Sequence, residues 1–227
     1  MKTVVIHQPD FMPYLGFFHR LLHADLYIVL DDVQFLRRGW HHRDKIKTPN
    51  GDKWFTLGLQ KSPQNEKINN IMLNHEDWKQ EHLNLFIQNY KKAPYYAEIF
   101  PHIELLYSNK FDKMIDFNMI SITMLMKLFN ISIEMEYSSK YNLQTKANEL
   151  LADLLQKVEA TNYLSGIGAK DYFDSKPFND ANIEVIWQDF KHPIYPQLHG
   201  EFIPYLSSID LLFNCGIDKS REILRNI

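Results

Sequence analysis

The stretch HQPDFMPYLGFFHR, His7 to Arg20, decides how the rest of the chain is read. Before it stand Thr3, Val4, Val5 and Ile6, and after it come Leu21-Leu22, Asp25 and a second apolar run, Leu26 to Leu30. β-Branched side chains favour a pleated strand, so Lys2 to Ile6 reads as one. Pro9 and Pro13 fix their own φ and push the residue before each out of the helical region, which makes this part an extended loop. A helix then begins near Pro13 or Tyr14 and runs to about His23. Tyr27 to Leu30 is apolar without alternation, as suits a strand covered on both faces of a parallel sheet. The four pieces make a β-α-β unit.

Beyond it, Asp31 to His42 is polar and aromatic and reads as a functional loop. Arg43 to Lys47 and Trp54 to Leu59 flank Pro49-Asn50-Gly51-Asp52, a hairpin signal. Helical spacing covers Trp78 to Tyr90, and a helix apolar on most faces covers Phe111 to Phe129, with Pro94 and Pro101 as punctuation between them. Ile131 to Tyr137 alternates as a strand with one wet face. Lys146 to Val158 is an amphipathic helix. Asn162 to Leu164 and Ile183 to Trp187 are strands, His192 to Tyr205 is irregular, and two helices, Ser207 to Asn214 and Lys219 to Ile227, close the chain about Gly216. Strands alternating with helices predict an α/β fold with a mostly parallel sheet. The 227 residues suit a single domain over 1–227, with a helical subdomain around 75–130.

Composition narrows the function classes. A 45% apolar share supports a large core, and a net charge of −3 gives no general reason to expect nucleic-acid or membrane attraction. Cys215 is the single cysteine, which excludes an intrachain disulfide framework and suits a reducing compartment. The start MKTVVIHQPD does not read as a signal peptide, and no apolar run approaches the roughly 20 residues of a membrane span. A cytoplasmic protein without membrane insertion is the expectation.

Ligands of open α/β sheets bind beyond the carboxyl ends of the strands. Three polar groups are predicted at such ends: His7, Gln8 and Asp10; Asp31, Asp32 and Gln34; and Gly166, Gly168, Lys170 and Asp171. His7 is the candidate base or phosphate donor, because imidazole titrates near neutrality, or it is a structural histidine at a strand end. Asp31 and Asp32 are candidate catalytic carboxylates and Mg²⁺ ligands, although neighbours on a strand point to opposite faces, so one reaches a ligand while the other caps or pairs. Gly166 and Gly168 either open a helix whose N–H groups receive a phosphate or form a plain turn. Arg43 and Lys45 lie where they would steer a diphosphate. Tyr14 and Trp40 would stack on a base or sugar ring, or belong to the core. Tyr195, Gln197 and His199 fall in a proline-punctuated segment that suits a binding loop. His19, His23, His41 and His42 have no cysteine and no HExxH beside them, so no transition metal is expected. A G-x-S-x-G hydrolase elbow is absent.

Several of these stretches together resemble one family. HQPDFMPYLGFFHR with Gly16, AD at 24–25, DDVQF at 31–35, Arg43, SGIGAKDYFD from Ser165, the Trp187 to Gln197 segment and SSIDLLFNCG from Ser207 are similar to the WbqC-like family of bacteria. Members are associated with O-antigen and other surface-polysaccharide gene sets. The resemblance implies transfer of glycine, or a similar amino acid, to the amino group of a nucleotide-linked amino sugar. A more distant similarity, to pantothenate synthetase and its nucleotidyltransferase relatives, implies a nucleotidyltransferase-like (Rossmann-like) sheet and adenylation with ATP and Mg²⁺. Aligning that class's histidine motif on Gly16 puts Tyr14 and Phe17 where its histidines belong, which leaves His7 or His19 to replace them. The implied partners are the sugar nucleotide and an amino-acid donor. No nucleic acid is expected as a substrate except an aminoacyl-tRNA serving as that donor. The rival expectations are a nucleotidyl- or glycosyltransferase on a sugar nucleotide, and a non-catalytic binder of nucleotide sugars.

Overall fold

The computed structural model describes residues 1–74 and 77–227. In chain order it contains β1 (Thr3–His7), α1 (Leu15–Leu22), β2 (Leu26–Val29), β3 (Arg43–Thr48), β4 (Gly51–Thr56), α2 (Trp78–Tyr90) and α3 (Tyr96–Ser108). There follow α4 (Met114–Leu128), β5 (Glu134–Tyr137), α5 (Ala147–Lys157), β6 (Asn162–Ser165), α6 (Lys176–Asp180), β7 (Glu184–Trp187) and α7 (Ile209–Arg225). The main sheet has five strands in the order β5-β2-β1-β6-β7, and β3 pairs with β4 apart from it. Every pairing in the main sheet is parallel, with Val4 opposite Leu26 and His7 opposite Val29 between β1 and β2. The fold is therefore α/β with an inserted antiparallel hairpin, as the alternation of strands and helices predicts.

Both faces of the sheet are covered, which explains the unbroken apolar runs of β1 and β2. Val5, Tyr27 and Val29 pack into the larger core, where they meet Phe17 and Phe18 of α1, Phe117 of α4 and Phe213 of α7. The alternate residues Val4, Ile6, Leu26 and Ile28 pack against Leu154 and Leu155 of α5 and Phe178 of α6. Helices α2, α3 and α4 share the larger core with the hairpin residues Ile46 and Phe55. The helical segment read over 75–130 begins with two residues, 75 and 76, that lie outside the described ones.

Three local readings differ from the structure. The hairpin turns at Pro49-Asn50, with Thr48 opposite Gly51, so β4 starts earlier than Trp54. Gly51 carries the positive φ, 100°, that the turn demands. Helix α3 forms where proline suggested only a break; Pro101 lies inside it, and burial of Ile99, Phe100, Ile103, Leu106 and Tyr107 outweighs the lost N–H. Gly166 leads into a 3₁₀ segment, Ile167–Tyr172, and not into an α-helix.

Gly216 does separate two helical halves within α7, with φ 74° and ψ 174°. A Cβ there would sit 2.5 Å from the Tyr95 ring. Gly216→Ala should therefore destabilise the protein by about 2–3 kcal/mol, from a left-handed φ and a clash together. Chemical denaturation measures it, and an unchanged midpoint would mean the kink can straighten.

Candidate active site at the sheet switch point

Strand order reverses between β1 and β6, and parallel sheets open a crevice beyond the carboxyl ends at such a point. A cavity of about 700 Å³ lies there, bounded by His7, Gln8, Asp10, Tyr14, Arg20, Trp40, Asp44, Ser165, Gly166 and Gly168, with Gln188, Phe190 and Tyr205 beside them.

The loop after β1 is held from three sides. Asn118 of α4 donates its side-chain amide to the carbonyls of Pro9 (2.8 Å) and His41 (2.7 Å). His41 Nε2 lies 2.6 Å from Gln8 Oε1, and the Phe11 amide donates to the Trp40 carbonyl at 2.9 Å. Ser207 Oγ donates to the Met12 carbonyl at 2.7 Å. Gln188, just past β7, donates to the Gly16 carbonyl at 2.8 Å and ties α1 to the far side of the cavity.

His7 Nδ1 is 2.8 Å from the Gln8 carbonyl, which can only accept, so the proton sits on Nδ1 and the Nε2 lone pair is left free. The His7 side chain keeps a quarter of its surface exposed at the cavity. Burial and the Arg20 charge lower its pKa to about 3, against an upward pull from the Gln8 carbonyl and with a further lowering from His41. Asp10 Oδ2 lies 3.7 Å from His7 Nδ1. Burial raises Asp10 to about 7 while Arg20 pulls it the other way. An established ion pair would shift both groups in the opposite directions, so desolvation dominates: His7 is neutral at neutral pH, and Asp10 titrates close to it. Asp44 is also raised well above the carboxylate range by burial.

Arg20 is 5% exposed, and its Nε has no hydrogen-bond partner. Among the described residues it forms no ion pair either, although it lines the cavity. Gly166 explains how it fits: a Cβ on Gly166 would lie 2.9 Å from Arg20 Nη1. Trp40, 47% exposed, reaches the rim and packs against Trp54, the rings tilted by 38° with centroids 5.2 Å apart.

Of the residues singled out in the sequence, the structure brings His7, Gln8, Asp10, Tyr14, Trp40, Gly166 and Gly168 to this cavity. Gly16 backs it through its carbonyl and its contact with the Tyr14 ring. The others lie elsewhere. Asp31 accepts from Ser138 Oγ (3.0 Å), Ser139 N (3.0 Å), Ser139 Oγ (2.8 Å) and Asn69 Nδ2 (3.1 Å). Ser138 Oγ also lies against Asp32. Mg²⁺ takes one or two carboxylates that are free to face it, and these carboxylates clasp the ends of β2 and β5 instead. They do not fit an Mg²⁺ site. Among the described residues no group of three or more His, Cys, Asp or Glu is placed to hold a metal. Gln34 donates to the Gln64 carbonyl. Arg43 lies 4.4 Å over the Trp54 ring, and Lys45 pairs with Asp52 at 2.6 Å. Lys170 sits over Trp187 and Asp171 is exposed. Tyr195 and Gln197 donate to Asp210 at 2.9 and 2.8 Å, and His199 lies 2.8 Å from the Asn89 carbonyl.

Arg20 and Asp44 were not among the candidates read from the sequence. The available signals were a cation inside the apolar run Phe17 to Leu22, and Asp44 in alternation with the inward-facing Ile46.

The neutral histidines make an acid-sensitive fold. Burial lowers His41, His42 and His82 to about 4 and His7 to about 3. Between these values and the ordinary 6.5 the unfolded chain holds more protons, so stability falls as pH drops through that window. Asp10 and Asp44, raised by burial, oppose the trend over the same range. His82 receives Tyr107 OH on Nδ1 and faces the Thr56 carbonyl with Nε2, which fixes it neutral. His82→Gln should flatten the stability slope between pH 6.5 and 4 by up to about one proton, read from urea midpoints at several pH values. An unchanged slope would mean that His82 takes up its proton as readily in the folded state as in the unfolded one.

The WbqC-like protein family matches residues 8–222, and the chain belongs to that family. It is 33% identical over 221 residues to the uncharacterized protein Rv1507c of Mycobacterium tuberculosis, covering 96% of each chain. No solved structure matches. Among the described residues no helix is long and apolar enough to cross a membrane.

Proposed function

We propose that this protein is an enzyme of surface-polysaccharide (O-antigen) biosynthesis that transfers glycine, or a similar amino acid, to the amino group of a nucleotide-linked amino sugar. The observation that carries this reading is the His7 imidazole, with Nδ1 committed to the Gln8 carbonyl and the Nε2 lone pair free at the cavity. A sugar ammonium must first lose a proton to become a free amine, and the amine loses a second as the amide forms. In the transfer step the C–N bond forms, the bond to the leaving group breaks, and the amine proton passes to His7 Nε2. The Arg20 charge and burial hold that base neutral in the free enzyme. An oxyanion lodged beside Arg20 offsets the guanidinium charge and raises His7 basicity as substrate binds.

A free amino acid must have its carboxylate activated, which ATP does by adenylation or phosphorylation, whereas an aminoacyl carrier or aminoacyl-tRNA arrives activated. The test is to incubate the protein with glycine, Mg-ATP and a nucleotide-linked amino sugar and read the products by mass spectrometry. Glycylated sugar with AMP and pyrophosphate supports adenylation, and ADP supports an acyl phosphate. Product only with a preactivated glycyl donor removes ATP from the reaction. Pyrophosphate released from sugar phosphate and a nucleoside triphosphate would replace this reading with nucleotidyl transfer.

A further inference from the structure

Of the ionisable side chains lining the cavity, Arg20 and Asp44 have no ion-pair partner among the described residues. Arg20 reaches it from α1 with no anion beside it, and its Nε is buried without a partner. Asp10 is 8% exposed and Asp44 2% exposed, and both line the same cavity. Asp44 accepts one backbone amide, from Lys45 at 2.6 Å, and Asp10 has only the 3.7 Å approach to His7 Nδ1. The three side chains act on one another electrostatically: Arg20 on Asp10, and Asp10 on Asp44. Tyr14 lies within the field of all three.

A buried guanidinium nitrogen without an acceptor is costly, and so are buried carboxyls with few donors. Neither deficit is met by the other, because Arg20 forms no ion pair with a described carboxylate. A single ligand with an oxyanion at one end and a protonated amine near it would supply both missing partners. The five donors of a guanidinium match a carboxylate or phosphate, and two carboxyls that become acceptor-only on giving up their protons as the ligand binds match an ammonium. Gly166 belongs to the same device: its backbone, φ −73° and ψ 145°, is open to any residue. A Cβ there would stand 2.9 Å from Arg20 Nη1, so any larger residue would push the guanidinium aside.

We propose that the cavity floor is a recognition site for an ampholyte, with Arg20 holding its oxyanion and Asp10 and Asp44 its amine. This rests on the reading above only in placing the substrate in this cavity. Two sources carry the chemistry: a free α-amino acid, through its carboxylate, or a nucleotide-linked amino sugar, through its phosphate.

Isothermal titration of the purified full chain separates them. Glycine is compared with acetate and methylammonium, and uridine-diphosphate glucosamine with uridine-diphosphate glucose. In at least one arm the ampholyte should bind about tenfold or more tightly than the probes lacking one charge, since a hydrogen bond to a charged group is worth roughly 1.5–3 kcal/mol. Arg20→Met should remove about tenfold or more of that affinity, and Asp10→Asn or Asp44→Asn should erase the preference for the amine-bearing probe. Gly166→Ala, whose backbone is unstrained, should weaken binding by displacing Arg20 while circular dichroism stays unchanged; it serves if Arg20→Met fails to fold. Equal affinity for charged and half-charged probes, no binding of any probe, or full affinity in both Arg20→Met and Gly166→Ala overturns the proposal. Ampholyte binding without transfer would defeat the transferase reading and leave this one standing. Transfer that survives Arg20→Met would do the reverse.

Discussion

His7→Ala should lower the rate of glycyl transfer by about 10² or more, the usual size of a general-base contribution. The proposed mechanism assigns one task to this side chain, acceptance of the amine proton at Nε2. Its other contacts are small. Nδ1 bonds the carbonyl of the next residue, and the ring meets Phe17 edge-on at 5.2 Å. Removing the ring also removes a buried neutral histidine that resists protonation, so acid stability should rise slightly, with the window set by its lowered pKa of about 3 and the ordinary 6.5. Rate loss with an intact circular dichroism spectrum is the expected outcome. Near-normal turnover would return His7 to a purely structural part, and unfolding would show that the β1 end depends on it.

Asp210→Ala should cost about 3–5 kcal/mol of stability, the loss typical when one partner of a buried polar network is removed. Asp210 is fully buried and receives Tyr90 OH at 2.7 Å, Tyr195 OH at 2.9 Å and Gln197 Nε2 at 2.8 Å. Lys47, 1% exposed, lies beside it and donates to the Gly200 and Glu201 carbonyls. Alanine leaves three donors without an acceptor and a nearby ammonium without its counter-charge. For a chain of this size a loss of that order lowers Tm by roughly 10 °C. Asp210→Asn keeps one acceptor oxygen and should lose about half as much. A melting point within a degree or two of the parent would mean that water takes over the vacated positions.

The β-α-β start was legible because its signals are local: β-branched Thr3 to Ile6, two prolines, then an apolar helix and an apolar strand. The carboxyl ends of the predicted strands also placed His7, Gln8, Gly166 and Gly168 at ligand-binding positions, while the adjacency of β1 and β6 that brings them together has no local signal. Asp31 looked like a metal ligand for the same reason, since it too follows a strand. Its partner Ser138 is 107 residues away in sequence, and nothing local announces that clasp. Tyr195 and Gln197 show the same limit, because Asp210 receives them only once α7 is packed. Proline hid α3, where burial of one apolar face decides the outcome. Arg20 was hidden by its neighbours: within FFHRLL it reads as the polar edge of an amphipathic helix, while the fold turns it toward the cavity.

The most direct test of where chemistry happens is a crystal structure of this protein with a nucleotide-linked amino sugar bound. The account expects ligand density beyond the carboxyl ends of β1 and β6, with an oxyanion against Arg20 and the amine within reach of His7 Nε2. Density on the outer face of the hairpin, against Arg43 and Lys45, or beside Asp31 and Asp32 with the cavity empty, would contradict it.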